Sequence, residues 1–466
     1  MGKIFSYILF CVLNITVHSQ ITFEKSFSAF PGCIESYGIC VCQTHDNGYA
    51  ILTRAKVNRV DHSILIKTNS NCEITQTKLL DGIATFFNKT HDDGFIYTGS
   101  LENRLMMLKT DSTLNNQWFK AIKSEQTNGV SVCQTIDNGY CFIGMHFNYM
   151  SNATLIVLRT NEYGDTLWTK YFGGSTTSLI GQSIIQTNDS GFVICGSITD
   201  GPGGPSKVFI MRLNSLGDSL WMKTYHYSLY DYGYVVFSIE NSGYLAICTS
   251  ENIVNESNPD FVYLIRTDKN GDTLWTKIFG ANSGQGLSAT KLTGGGYVLV
   301  ATKRDTISNT LKIFLVRINE TGEILWSKVV GRPGEEWGIS IKQTVDNGIV
   351  VCGMFASLLS SDTLNVFVVK TDSVGQNFPD PVPATNLYPD IMIFPNPVID
   401  QMTIRINKDI LNIEIFNIQG KVIFSDTNPE KQEKIYQLSL YNQLSGIYLI
   451  KFQAKNTIVY KKLIKM

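Results

Sequence analysis

The chain repeats itself, and the period restricts its fold more than any other feature. A turn of the type QTxDNGY recurs, with its glycine at Gly48, Gly94, Gly139, Gly191, Gly243, Gly296 and Gly348, at spacings of 46, 45, 52, 52, 53 and 52 residues. An apolar run ending in a basic residue and Asn or Asp follows each turn, from ILIKTN (Ile64–Asn69) to FVVKTD (Phe367–Asp372). A third landmark is an aromatic segment of the type TLWTK, with Trp118, Trp168, Trp221, Trp275 and Trp326. A period near 50 residues built from short apolar runs is the mark of a repeat architecture.

Each repeat reads as four strands. Strand A precedes the QTxDNGY turn and strand B follows it. Strand C is the apolar run with a basic end, and strand D carries Trp-x-Lys. Asn or Asp before Gly tolerates the positive φ of a tight hairpin. The C–D turns (NEYGD, DKNGD) use glycine in the same way. Strand C is apolar on both faces, so its sheet is covered on both sides. Four strands and two buried faces per repeat describe a propeller blade packed between neighbours.

The count of strand D suggests how the ring closes. No strand D follows Phe367–Gly375, where the chain turns Pro-rich. FEKSF (Phe23–Phe27) instead stands alone at the start, with Phe23 in the Trp place and Lys25 in the Lys place. Gln76 holds the Trp place of the first full repeat. The fold class expected is therefore all-β: a seven-bladed propeller over 20–376, closed by three strands plus one. Such closure removes exposed sheet edges. The Trp residues are expected to pack between blades.

The N-terminus reads as a signal peptide over 1–19: Lys3, then a mostly apolar Ile4–Val17, then Val17-His18-Ser19 before Gln20. About 14 apolar residues fall short of a membrane span. The expectation is an exported chain without stable membrane insertion. A formal net charge of −1 gives no reason to expect nucleic acid as a partner. Removal of Cys11 leaves nine cysteines, an odd number. Cys195 and Cys352, and likewise Cys42 and Cys133, hold matching places in different repeats, too far apart to bridge. Most cysteines therefore read as small buried hydrophobes, with a local Cys33–Cys72 bridge left open.

The spacing Asp268, Gly271, Trp275 resembles the Trp-docking repeat of pyrroloquinoline-quinone-type propellers, a group of dehydrogenases and non-enzymatic scaffolds. The dehydrogenases add an adjacent Cys-Cys pair, and this chain has none. No cofactor is expected.

A Pro-rich linker (377–388) separates the repeats from a different segment, 389–466. Phe394-Pro395-Asn396-Pro397 opens it, Asn417, Gly420 and Lys421 form an N-x-x-G-K hairpin, and Leu444, Ser445, Gly446 and Tyr448 form an L-S-G-x-Y strand. Lys461, Lys462 and Lys465 make a basic tail. These residues resemble the type A C-terminal sorting domain of the type IX secretion system of Bacteroidota. The resemblance implies a small β-sandwich, the type IX secretion machinery as partner, and delivery through the periplasm to the outer surface or the medium.

No catalytic or metal-binding constellation stands out, and the six His residues are scattered. In a propeller of this strand order the D–A and B–C loops share one face. The variable B–C loops (Thr199–Ser206, Glu251–Asp260, Lys303–Thr310, Ala356–Leu364) and the D–A loops (Tyr225–Gly233, Gly331–Gly338) make that face the candidate site. Tyr225, Tyr227, Tyr230, Tyr232, Arg332 and Trp337 are its candidate ligand-binding residues, by stacking and hydrogen bonding to a glycan or surface protein. The function expected is a non-catalytic binding or scaffold protein. The alternatives are a polysaccharide hydrolase or lyase and a structural adhesion or surface-layer component.

Overall fold

The computed structural model describes residues 21–30, 33, 35–122, 126–147, 152–174, 176–201, 203–240, 242–251, 261–280, 288–305, 309–332, 334–357, 360–377, 391–394, 398–406, 410–417, 421–426, 434–454 and 458–465. The expected signal peptide and, apart from Asn377, the linker lie outside these residues. Chain contacts divide the protein into two compact units, Met1–Asn377 and Phe378–Met466.

The first unit is a succession of antiparallel sheets. After β1 (Phe23–Phe27) come β2 to β5 (Glu35–Gln43, Tyr49–Val57, Val60–Thr68, Ile74–Leu80). Next are β6 to β9 (Ile83–Lys89, Phe95–Leu101, Arg104–Thr110, Asn116–Ala121). Then follow β10 to β13 (Thr127–Gln134, Tyr140–Phe147, Ala153–Thr160, Thr166–Phe172). Another four are β14 to β17 (Thr177–Gln186, Phe192–Asp200, Ser206–Leu213, Ser219–Tyr225). β18 to β21 are Tyr230–Ile239, Gly243–Glu251, Phe261–Thr267 and Thr273–Gly280. β22 to β25 are Ser288–Lys291, Tyr297–Arg304, Leu311–Ile318 and Ile324–Val330. The last are β26 to β28 (Glu335–Gln343, Ile349–Ser357, Ser360–Thr371), and β1 pairs with β28 in the register Phe23 to Lys370 and Phe27 to Val366.

The first strand of each set touches the first strand of the next: β2 meets β6, then β10, β14, β18, β22 and β26, and β26 meets β2. Sheets arranged radially about their first strands make a β-propeller. The second and third strands are buried on both faces, as in Phe192–Ser197 and Val208–Leu213. Fourth strands are largely exposed.

Sequence landmarks become joints between sheets. A Cβ added at Gly164 would lie 2.9 Å from the Trp118 ring of the preceding sheet, and Gly217 stands likewise to Trp168 at 2.8 Å. The Lys two residues after each of these Trp residues reaches the Asp that follows the glycine: Lys120 to Asp165, and Lys170 to Asp218 at 2.8 Å. The Trp ring also meets the aromatic residue after the next QTxDNGY glycine, as with Trp118 and Tyr140 (5.7 Å) or Trp168 and Phe192 (6.0 Å). Interior cations brace the A–B turns: Arg159 meets Asp137 at 2.5 Å, Arg212 meets Asp189 at 2.5 Å, and Lys370 meets Asp346 at 3.0 Å. The nine described cysteines are free, Cys33 and Cys72 among them, and both contribute to one apolar cluster.

The second unit contains a three-stranded and a four-stranded sheet. The first holds β29 (Ile391–Phe394), β30 (Gln401–Ile406) and β33 (Lys434–Ser439). The other holds β31 (Ile410–Asn417), β32 (Val422–Asp426), β34 (Gly446–Ala454) and β35 (Ile458–Lys465). Met402 and Ile404 of the first share a core with Ile413, Ile415, Ile450, Phe452 and Leu463 of the second.

Candidate binding face

Six of the first strands, β2, β6, β10, β14, β18 and β26, share a local irregularity that sets which side chains face where. A bulge follows Gly38, Ala84, Gly129, Gly181, Gly233 and Gly338. The residue before each of these (Tyr37, Ile83, Asn128, Ile180, Tyr232, Trp337) is half-buried, whereas Gly38, Ala84, Gly129, Gly181, Gly233 and Gly338 themselves are buried. These glycines allow close approach: a Cβ at Gly233 would lie 2.5 Å from Cys195 Sγ of the neighbouring sheet.

The sequence-predicted residues fall in different settings. Tyr232 and Trp337 hold equivalent positions on β18 and β26, so they belong to the strands around the axis rather than to loops. Tyr230 opens β18 and pairs with Glu251. Tyr227 is exposed, its ring 5.9 Å from that of Tyr263. Tyr225, expected on the face, is instead the buried last residue of β17. Its apolar ring is worth more in the core, and its hydroxyl donates to Gly271 O at 2.6 Å. The loop expected over Ala356–Leu364 is largely ladder, since β27 and β28 pair as far as Ser357 and Ser360.

Sequence reasoning missed Tyr37. It stands on β2 where Tyr232 and Trp337 stand on their strands, and it is likewise followed by glycine. A signal was present: each of the three precedes its turn glycine (Gly48, Gly243, Gly348) by eleven residues.

The Gly331–Gly338 segment holds a buried ionic cluster. Glu336 is fully buried, accepts the Arg332 N–H at 2.8 Å and has Lys312 Nζ at 3.8 Å. Lys312 donates to Gly334 O at 2.8 Å and also bonds Arg332 O. The Arg332 guanidinium lies over Phe355 (4.7 Å) and Phe367 (5.2 Å). Burial pushes the Glu336 carboxyl up to about 8, and the Glu24 carboxyl is raised by burial as well. Asp231 is the corresponding buried acid on β18, accepting the Tyr227 N–H at 2.6 Å. Glu336 and Asp231 thus cap the loops that enter their strands.

In the second unit Asn417 N donates to Lys421 O (3.0 Å) and Lys421 N to Asn417 Oδ1 (2.9 Å), which closes the N-x-x-G-K hairpin. Tyr448 is buried, and its hydroxyl donates to Leu444 O at 2.7 Å. That bond accounts for the four-residue separation of Leu444 and Tyr448, with Gly446 opening the strand between them. Pro395, Asn396, Pro397 and Gly420 lie outside the described residues.

Residues 392–466 match the family described as the secretion system C-terminal sorting domain. This domain marks the chain for type IX export to the cell surface or the medium. Among the described residues no helix is long and apolar enough to cross a membrane. No curated protein matches the chain. Similar solved structures include a protein of unknown function from Bacteroides caccae (13% identity, 61% of this chain and 91% of that one, TM-score 0.38). Others are a streptogramin B lyase (10%, 75% and 98%, TM-score 0.43) and the β-propeller domain of the Trilobed protease from Pyrococcus furiosus (11%, 74% and 98%, TM-score 0.44). Likenesses this distant assign nothing to this chain.

Proposed function

We propose that the chain is an exported, non-catalytic binding or scaffold protein. On this reading it is a seven-bladed propeller over 20–376, closed by three strands plus one. A Pro-rich linker (377–388) joins it to a small sandwich (389–466) that engages the type IX machinery. The carrying observation is how the charged repeat positions are used. Lys120–Asp165, Lys170–Asp218 and Lys223–Asp272 tie sheet to sheet, while Arg159–Asp137 and Arg212–Asp189 brace turns. These repeated ionic groups serve the frame, and the differences between repeats lie on the face bearing Tyr227, Tyr230, Tyr232, Arg332 and Trp337. Variation on a constant frame suits recognition.

One observation leans toward a polysaccharide hydrolase or lyase. Glu336 is a carboxyl with a raised pKa, which suits a general acid. Its full burial and its bond to the Arg332 N–H favour a cap instead. Incubating the purified exported chain with envelope polysaccharide and outer-surface proteins from its own cells tests the reading. Saturable binding without change in polymer size is expected. A steady fall in polymer size with time overturns it in favour of the enzyme.

A further inference from the structure

Tyr37, Tyr232 and Trp337 share one register position on β2, β18 and β26, and β26 and β2 are in contact. In the ring that the first strands trace, these three aromatic side chains stand at one level about the axis. One step outward along the same strands, Glu35, Tyr230 and Glu335 begin β2, β18 and β26, all half-buried.

Polar groups without hydrogen-bond partners gather at the same level. Thr249 is 4% exposed, and its Oγ1 has no partner among the described residues. It is the cross-strand partner of Tyr232 and so lies on the same sheet face. Asn128 occupies the aromatic level on β10, and its Oδ1 is also buried and unpartnered. Arg54, opposite Tyr37, has an unpartnered Nε. A buried polar atom left without a partner is destabilising, so such groups mark places where a ligand can supply the missing bond.

We propose that this axial mouth binds a neutral carbohydrate chain, with Tyr37, Tyr232 and Trp337 as its stacking surfaces. Sugar rings present faces of C–H bonds whose partial positive charge suits the negative face of an aromatic ring. Their hydroxyls both donate and accept, which suits the carboxylates of Glu35 and Glu335 and the groups of Tyr230, Thr249 and Asn128. Charge around the mouth is paired rather than of one sign. Lys56 lies 3.6 Å from Glu35, Arg104 3.4 Å from Glu102, and Lys207 3.9 Å from Asp200. Paired rim charges give little attraction to a polyanion or a polycation.

This inference rests on the closed ring and binding role proposed above. Calorimetry of the full exported chain with cellohexaose, xylohexaose and mannohexaose tests it, with polygalacturonate and polylysine as charged probes. Binding of at least one neutral hexasaccharide is expected, little affected by salt. Tyr37→Ala and Trp337→Ala should each weaken it roughly tenfold, a loss of one stacking contact. Trp337→Phe should keep most of it, and Tyr163→Ala, at an exposed residue of a C–D turn, all of it. Unchanged melting of each variant separates lost contact from lost fold. Binding that survives both Tyr37→Ala and Trp337→Ala overturns the site while leaving the binding role. Binding of a charged polymer alone overturns the ligand class and also leaves the binding role. Failure of all five probes overturns the inference. If the surface extracts of the preceding section still bind, the binding role survives it, and if they do not, both fall.

Discussion

Phe23 meets Tyr49 edge to face, ring centroids 5.6 Å apart at 75°. Trp168 and Phe192 make the same contact at 6.0 Å and 75°, between a fourth strand and the second strand of the next sheet. The N-terminal strand therefore does for the last sheet what a fourth strand does elsewhere. Phe23 is 1% exposed and packs with Val350, Val368, Ile51 and Cys72, residues from both ends of the repeat region.

Phe23→Ala should accordingly cost about 3–5 kcal/mol, the range for an aromatic removed from a core. Deleting Ile21–Phe27 should cost more, because β28 then loses a ladder partner as well. Urea unfolding followed by Trp fluorescence reads both. An unchanged midpoint for the deletion would show that the ring does not depend on this strand.

Gly271 offers a second test of the joints. Its φ is +79°, and a Cβ there would sit 2.8 Å from the Trp221 ring and 3.1 Å from Lys223. Gly271→Ala combines a left-handed backbone, costing about 1–2 kcal/mol, with overpacking, costing roughly 1–3 kcal/mol. A loss of about 2–5 kcal/mol is expected in thermal or urea unfolding. Gly174→Ala is the matched control, since nothing lies within 4 Å of its Cβ position. Equal stability of the two variants would mean that the Trp–Gly contact is loose.

These landmarks were legible because the repeat displays them several times over. The Trp-x-Lys segment, the C–D glycine and the N-terminal stand-in Phe23 all follow from aligning the chain with itself. The A–B turn was read correctly as a hairpin, and the positive φ falls on Asn47, Asn138 and Asn347 before the glycine. The glycine is needed for a different reason: a Cβ at Gly48 would lie 1.9 Å from Thr68 O. Less legible was the Gln of QT. Gln43 Oε1 accepts the Val345 N–H and Gln134 Oε1 the His91 N–H, bonds to a neighbouring sheet that no local pattern announces. On the candidate face, the bulge interrupts the two-residue alternation of the first strands. Reading Tyr230, Tyr232 and Trp337 as loop residues followed from that interruption, as did overlooking Tyr37.

Glu336 should leave a pH signature. A carboxyl normally near 4.5 that is pushed up to about 8 keeps its proton in the folded state across that interval, while the unfolded chain releases it. Folding then takes up a proton, so the contribution of this group is full below its ordinary value and declines as pH rises toward 8. The carboxylates of Asp92, Asp137, Asp189 and Asp346 are held below their ordinary value of 3.8, so their contribution is lost only in acid, below that range. Glu336→Gln keeps an acceptor for the Arg332 N–H and removes the titration. The melting temperature of the variant should vary less between pH 5 and pH 8 than that of the parent chain, on scans at about half-unit steps. Parallel curves would place the Glu336 carboxyl in its ordinary range.

The last prediction concerns the exported tail. The first unit, ending at Asn377, contains its own apolar clusters, which among the described residues draw on nothing beyond Val369. The second unit has a separate core around Ile404, Ile415, Ile450 and Phe452. Two cores with no shared residues unfold independently, so removing 378–466 should leave the melting of the first unit within about 2 °C, the shift expected for a change under 1 kcal/mol in a unit this large. Export should fail in that variant, because residues 392–466 carry the sorting match. Tyr448→Phe is a finer probe: it keeps the buried ring and removes only the bond to Leu444 O. The loss should be about 1 kcal/mol in the tail, with nothing lost from the first unit. Fractionation of the native host then reads the outcome: the truncated chain folded and retained in the periplasm, the parent chain at the surface or in the medium. Normal external levels of the truncated chain would remove the sorting role from the tail and leave it an ordinary β domain.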